Sequence, residues 1–73
     1  MAIEVRAHIT GTVWKIEVKV GDEVEAGDTV AILESMKMEM PVETDDEGVV
    51  ETIHVIAGQS VKEGDLMVTL TEP

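Results

Sequence analysis

The chain has 73 residues, with sixteen acidic against five basic side chains (formal net charge −11), a single aromatic residue and no cysteine. That length supports one small domain with a core of Val, Ile, Leu, Ala and Met, and the missing cysteine excludes a disulfide framework or a thiolate zinc site. The charge sets the surface against phosphate backbones and anionic membranes, so neither nucleic acid nor membrane is an expected partner, while an apolar share of 44% is enough for a core.

At the start, Met1 to Arg6 lacks the charged and long apolar regions of a signal peptide. The longest apolar run, Val30-Ala31-Ile32-Leu33, is far too short to span a bilayer. Together with the absent cysteine this suits a cytoplasmic protein. The stretch Gly11 to Val20 alternates apolar and charged residues from Trp14 onward, the pattern of a half-buried strand. Gly21-Asp22-Glu23 then predicts a turn, Val24 a single apolar peg, and Ala26-Gly27-Asp28 a second turn. Thr29 to Leu33 predicts the return strand, and Met40 to Thr44 another short extended segment, where Pro41 argues against a helix.

After the acidic turn Asp45-Asp46-Glu47-Gly48 the pattern starts again. Gly48 to Ile56 predicts a strand, Gly58-Gln59-Ser60 a turn, Val61 a peg, Glu63-Gly64-Asp65 a turn, and Leu66 to Leu70 a strand. A shift of 37 residues places Gly11 on Gly48, Val13 on Val50, Ile16 on Ile53, Val18 on Val55, Gly21 on Gly58, Val24 on Val61, Gly27 on Gly64, Asp28 on Asp65 and Leu33 on Leu70. Short strands, Gly/Asp turns and no helical periodicity predict an all-β fold built from two similar sheets related by an approximate two-fold axis.

Positions apolar in both halves define the expected core: Val13/Val50, Ile16/Ile53, Val18/Val55, Val24/Val61, Ala31/Val68 and Leu33/Leu70. Val13 and Ile16 differ in parity, which predicts a bulge near the start of that strand in both halves. Trp14 belongs either at one end of the barrel or on its outer face. The counterpart of Lys37 would be residue 74, one past the last residue, so the Lys37 turn and the termini should lie at opposite poles.

Glu34-Ser35-Met36-Lys37-Met38-Glu39 sits between two predicted strands, with Met36 and Lys37 at the tip of a hairpin. Met-Lys is poor chemistry for a tight hairpin, which prefers Asn-Gly, Asp-Gly or Gly-X. A local rule broken at one place marks a candidate for function, and a lysine presented between two thioethers has the form of an attachment point. The bland reading of the same six residues is a solvated charge on an exposed turn. Met36 and Met38 are read as recognition contacts flanking the lysine, Met40 as packing. Glu34, Ser35 and Glu39 are possible recognition residues, with plain solubility the alternative for the two acids. Asp45 to Glu47 lack the spaced oxygens of a calcium loop. His8 and His54 have no ligand-spaced partner, and no set of catalytic residues stands out, so the residues offer no enzyme reading for the chain alone.

This motif resembles the biotinylation motif of biotin carboxyl carrier domains, whose Met-Lys-Met core carries the modified lysine near the chain midpoint. The resemblance covers nearly the whole chain, including the Gly-Asp-x-Val turn with its following Gly-Asp. It implies a biotinyl domain over residues 1–73, folded as a flattened β-barrel, or barrel-sandwich hybrid, of two quasi-symmetric four-stranded sheets. It also implies that Lys37 is the biotinyl-lysine, with biotin joined by a biotin protein ligase through an amide. Such a carrier takes CO2 as carboxybiotin from a biotin carboxylase to a carboxyltransferase in an acyl-CoA or pyruvate carboxylase, acetyl-CoA carboxylase being one such enzyme. Many carboxyl carriers show Ala-Pro-Met-x-Gly before the first long strand. Ala7-His8-Ile9-Thr10-Gly11 keeps only the first and last of these, and the direct run from Val18 to Gly21 resembles the thumbless type. The alternatives are a lipoyl carrier of a 2-oxo-acid dehydrogenase-type complex, against which the flanking methionines count, and an unmodified structural β-barrel. A stand-alone carrier and a domain cut from a larger carboxylase would look the same.

Overall fold

The computed structural model describes residues 2–73. It contains eight strands: β1 (Ala2–Arg6), β2 (Gly11–Ile16), β3 (Glu23–Val24), β4 (Thr29–Ser35), β5 (Met38–Glu43), β6 (Gly48–Ile53), β7 (Ser60–Val61) and β8 (Leu66–Thr71). They form two four-stranded sheets, ordered β1-β8-β6-β3 and β5-β4-β2-β7, with every pairing antiparallel. No helix among the described residues is long and apolar enough to cross a membrane. The expected all-β architecture of two matched sheets is therefore the one observed.

A shift of 37 residues maps one sheet order onto the other, strand for strand. The backbone bonds of the connections map too. Gly21 N donates to Val50 O at 2.8 Å and Gly58 N to Val13 O at 2.7 Å, while Gly27 N donates to Thr44 O at 2.7 Å and Gly64 N to Ala7 O at 2.8 Å. The repeat reaches further toward the N-terminus than its nine identities suggest, because β1 is the counterpart of β5 and Ala7 that of Thr44, both buried. Strand β1 was absent from the sequence-based expectations. Its signal was the alternation of Ile3 and Val5 with Glu4 and Arg6.

The fully buried side chains come from both sheets and include Val13, Val30, Leu33, Val42, Val50, Met67, Val68 and Leu70. All twelve expected core residues fall in or against this cluster: the pairs Val13/Val50, Val24/Val61, Ala31/Val68 and Leu33/Leu70 lie in it with Val55, and Ile16, Val18 and Ile53 pack against it partly buried. The register shifts between Val13 and Lys15 against β4, and between Val50 and Thr52 against β8, which is the bulge expected in both halves. The bulge turns Trp14 outward, where it is 48% exposed, so the outer face and not an end cap is its place.

Two expected strands are shorter than their alternation implied. β2 stops at Ile16 rather than Val20, and β6 at Ile53 rather than Ile56. One residue further on, Glu17 N and His54 N still donate to Val30 O at 2.9 Å and Met67 O at 2.8 Å. The chain then leaves its sheet toward the turns capped by Asp22 and Gln59, whose side chains accept from Lys19 N at 2.9 Å and Ile56 N at 3.2 Å. A side-chain cap competes with the ladder for the same backbone donors. At the second turn of each half, Asp28 and Asp65 cap Glu25 N and Lys62 N at 2.9 Å each, and Gly27 and Gly64 hold φ of 93° and 94°. The Gly-Asp pairs seen in the sequence thus combine a backbone that only glycine adopts cheaply with a carboxylate that fixes the loop.

Candidate functional site

Strands β4 and β5 pair from Thr29↔Glu43 through Ser35↔Met38, leaving Met36 and Lys37 as a two-residue connection. Their φ angles are 52° and 66°, and they are the non-glycine residues with positive φ among those described. Positive φ at both central positions is the geometry of a type I′ hairpin turn, which matches the twist of the flanking strands. Met and Lys reach it at a cost of about 1–2 kcal/mol per residue, since their Cβ crowds the following carbonyl. The strain expected from the sequence at this one turn is present in the backbone.

The cost is met by what lies beneath the turn. Leu33 on β4 is fully buried and pairs with both Val13 and Met40, anchoring the hairpin to the core. Gly11 of β2 passes so close to β4 that a Cβ there would stand 2.6 Å from Glu34 O. Two residues that survive from the usual lead-in to this strand are therefore explained sterically: Ala7 fills a buried slot bonded to Asp65 O at 2.9 Å, and Gly11 admits the hairpin backbone. The part played by Gly11 in holding the hairpin was not foreseen.

At the tip, Met36 is 92% and Met38 62% exposed, and Lys37 is exposed between them. Lys37 takes part in neither of the two ion pairs found among the described residues, Arg6–Glu4 and Lys15–Glu17. Met40 is half-buried opposite Leu33, in keeping with a packing role. Ser35 is half-buried, and Glu34 and Glu39 are exposed directly opposite each other. Like charges on a cross-strand pair oppose sheet formation. Their counterparts in the other sheet are the neutral pair Thr71↔Ala2, so the fold itself has no need of the two acids.

The hairpin and the chain end at Pro73 occupy opposite poles. Asp28, just before β4, lines one surface groove with Pro73, and the seven residues of β4 then run about 23 Å to the turn at ~3.3 Å each. Other residues weighed from the sequence lie away from the tip. Thr44 Oγ1 bonds Asp46 O at 2.7 Å in the acidic turn, and His54 Nε2 contacts Thr69 Oγ1 at 2.7 Å. No cluster of three or more His, Asp or Glu able to hold a metal occurs among the described residues.

The geometry is that of a rigid stalk presenting one primary amine. Chemically it suits covalent attachment at a place that neither buries nor neutralises the lysine. The family described as "Biotin-requiring enzyme" matches residues 1–70. The chain is 45% identical over 67 residues to the biotin/lipoyl attachment protein of Bacillus subtilis, covering 92% of each. It is 42% identical over 64 residues to the biotin carboxyl carrier protein of Streptococcus mutans, covering 88% of this chain and 49% of that one. In three dimensions it resembles part of the urea carboxylase of Kluyveromyces lactis with a TM-score of 0.92 at 41% identity, spanning 97% of this chain and 6% of that one. With the eight-strand fold, the strained Met36-Lys37 turn and a match over residues 1–70 in agreement, the chain belongs to the biotin/lipoyl family of biotin-requiring enzymes.

Proposed function

We propose that the chain is a biotin carboxyl carrier in which Lys37 is the attachment point. Support for the lysine comes from one observation above all: Lys37 is exposed at the tip of a β-turn whose backbone conformation favours glycine, where only the side chain justifies the residue. The cofactor is biotin, in keeping with the family to which the chain belongs. A biotin protein ligase would join the biotin carboxyl to Nζ as an amide, with ATP cleavage driving the net loss of water and the lysine losing its positive charge. Met36 and Met38, flexible and polarizable, offer adaptable contacts to whichever active site receives the tip.

Bound biotin supplies a ring nitrogen that accepts CO2 in a carboxylase site and gives it up in a carboxyltransferase site. This chain's residues hold that group on a hairpin locked by Leu33 and Gly11 and projecting from the pole opposite Pro73. A tether of this kind replaces free diffusion with a high local concentration at both sites. Residues 1–73 would serve as a single carrier domain without catalytic residues of its own, in the cytoplasm, serving a carboxylase of the acyl-CoA or pyruvate class. A lipoyl group on the same lysine is the second reading, favoured by the name of the Bacillus relative.

Intact mass after coexpression with a biotin ligase and biotin tests both readings. One biotinyl increment is expected on the wild type and none on Lys37→Ala. A wild type that stays unmodified with biotin ligase, but gains a lipoyl increment with lipoate ligase, overturns the biotin reading in favour of the second.

A further inference from the structure

The two sheets have equivalent backbones but unlike outer faces. On the Lys37-bearing sheet, the bulge sets Trp14 and Lys15 opposite Ile32, and Ile32 is paired on its other side with Pro41. Paired residues project to the same face, so Trp14, Ile32 and Pro41 form an apolar stripe across three strands. On the other sheet the residues 37 positions away are Glu51, Thr69 and Glu4, a polar row in which Thr69 bonds His54. The fold tolerates polar residues at these places, and the stripe is therefore not a requirement of folding. Pro41 by itself also guards an edge strand against unwanted pairing. An indole 48% exposed on a central strand has no such use.

Glu34, Glu39 and Glu43 project on the same face by the alternation of β4 and β5, and all three are exposed. Two cations stand near it and both already have acidic neighbours: Lys15 is 3.7 Å from Glu17, and Arg6, which lines a groove with Pro41 and Glu43, is 2.9 Å from Glu4. An apolar centre with an acidic rim matches a partner surface that is apolar at its centre and basic at its edge. A second copy of this chain does not offer that, since it too carries a net charge of −11. Ile32 lies five residues from Lys37, about 16 Å along the strand, within the span of one ordinary interface of ~800 Å² per partner.

We propose that the outer face formed by Trp14, Ile32 and Pro41, rimmed by Glu34, Glu39 and Glu43, is the docking surface for the ligase that modifies Lys37. This rests on the reading of Lys37 as the attachment point. The ligase is the partner chosen because it must bring Nζ itself to bonding distance, and so must close on the hairpin and the sheet beside it. A site that receives the finished cofactor meets only the end of an extended arm.

The test is steady-state biotinylation of the purified chain by biotin protein ligase with ATP and biotin. The variants are Trp14→Ala and the triple Trp14→Glu/Ile32→Thr/Pro41→Glu, which copies the opposite face, with Glu4→Gln/Glu51→Gln as control. Cooperative unfolding of each confirms its fold, and the single variant carries the test where the triple one does not fold. A fall in kcat/KM of about tenfold or more is expected for the Trp14 variants, borne by KM, with full modification still reached and the control unchanged. Unchanged kcat/KM in the Trp14 variants overturns the proposal while leaving Lys37 as the attachment point. A Trp14-dependent dimer of the wild type, with ligation unaffected, assigns the face to a second copy and also overturns it. A wild type that takes up no biotin sinks the underlying reading instead.

Discussion

In the first half of the molecule, β4 runs into Met36 and Lys37 and returns as β5; at the matching place in the second half, β8 ends at Thr71 beside Ala2. The backbone and the buried support beneath these two ends are duplicated. Leu33 and Leu70 are both fully buried, and Gly11 and Gly48 both let a neighbouring strand pass within 2.6 Å and 2.5 Å of where a Cβ would stand. One end nevertheless holds two side chains in the left-handed region, while the other closes nothing. At the four turns that only reverse the chain, Gly21, Gly27, Gly58 and Gly64 adopt φ between 92° and 96°. Glycine appears where conformation alone matters, and Met-Lys keeps the same kind of conformation at the turn proposed to carry the attachment point.

Exchanging the tip residues, Met36→Lys with Lys37→Met, is the sharpest way to break this comparison. It keeps composition, charge and turn and moves the amine by one position. A misplacement of that order is expected to lower ligase-catalysed biotin incorporation by about a hundredfold or more, read as initial rate by intact mass. An unchanged rate would mean that any lysine at this pole suffices.

Next in size is the shared core. Leu33→Ala and Leu70→Ala each remove a fully buried side chain, at an expected cost of about 2–5 kcal/mol. Urea unfolding should give closely similar losses for the two, whereas a large difference would show that the halves are alike in shape but not in energetics.

Gly11→Ala and Gly48→Ala separate the two ends. Each added Cβ meets a backbone carbonyl, Glu34 O or Thr71 O, and each should destabilise by about 1–3 kcal/mol. Only Gly11→Ala should also slow biotin incorporation under conditions where both variants are folded, because Glu34 leads directly into the turn. Equal effects on incorporation would count against the role given to Gly11.

The smallest effect is expected at Met36→Asn. Asparagine adopts positive φ more readily, so a gain of a few tenths to about 1 kcal/mol in stability should appear in thermal unfolding. The same variant should be a poorer ligase substrate. If it is equally good, Met36 has no recognition role and its presence in a strained turn loses its explanation.

Much of this was legible in the sequence because it is written in local rules. Alternation of apolar and charged residues, glycines before aspartates and a 37-residue period placed β2, β4, β6, β8 and the core pairs. The poor turn chemistry of Met36-Lys37 singled out the tip, where the positive φ angles then appeared. What was missed was non-local. β1 becomes a strand by pairing with β8, more than sixty residues away, and β3 by pairing with β6. The alternation from Trp14 to Val20 continues past the real end of β2, because after Glu17, whose N still donates to Val30 O at 2.9 Å, the chain turns away and Lys19 N bonds the cap at Asp22.

The sequence by itself determined the strand-and-turn grammar, the duplication and the one residue worth presenting. Tertiary structure alone decided what stands beside it. Trp14, Ile32 and Pro41 are spread over three strands, and a bulge at Val13–Lys15 is needed to bring the indole onto their face. A side-chain period of two means that a single extra residue turns everything after it to the other side. The register that decides this is fixed by pairing between strands.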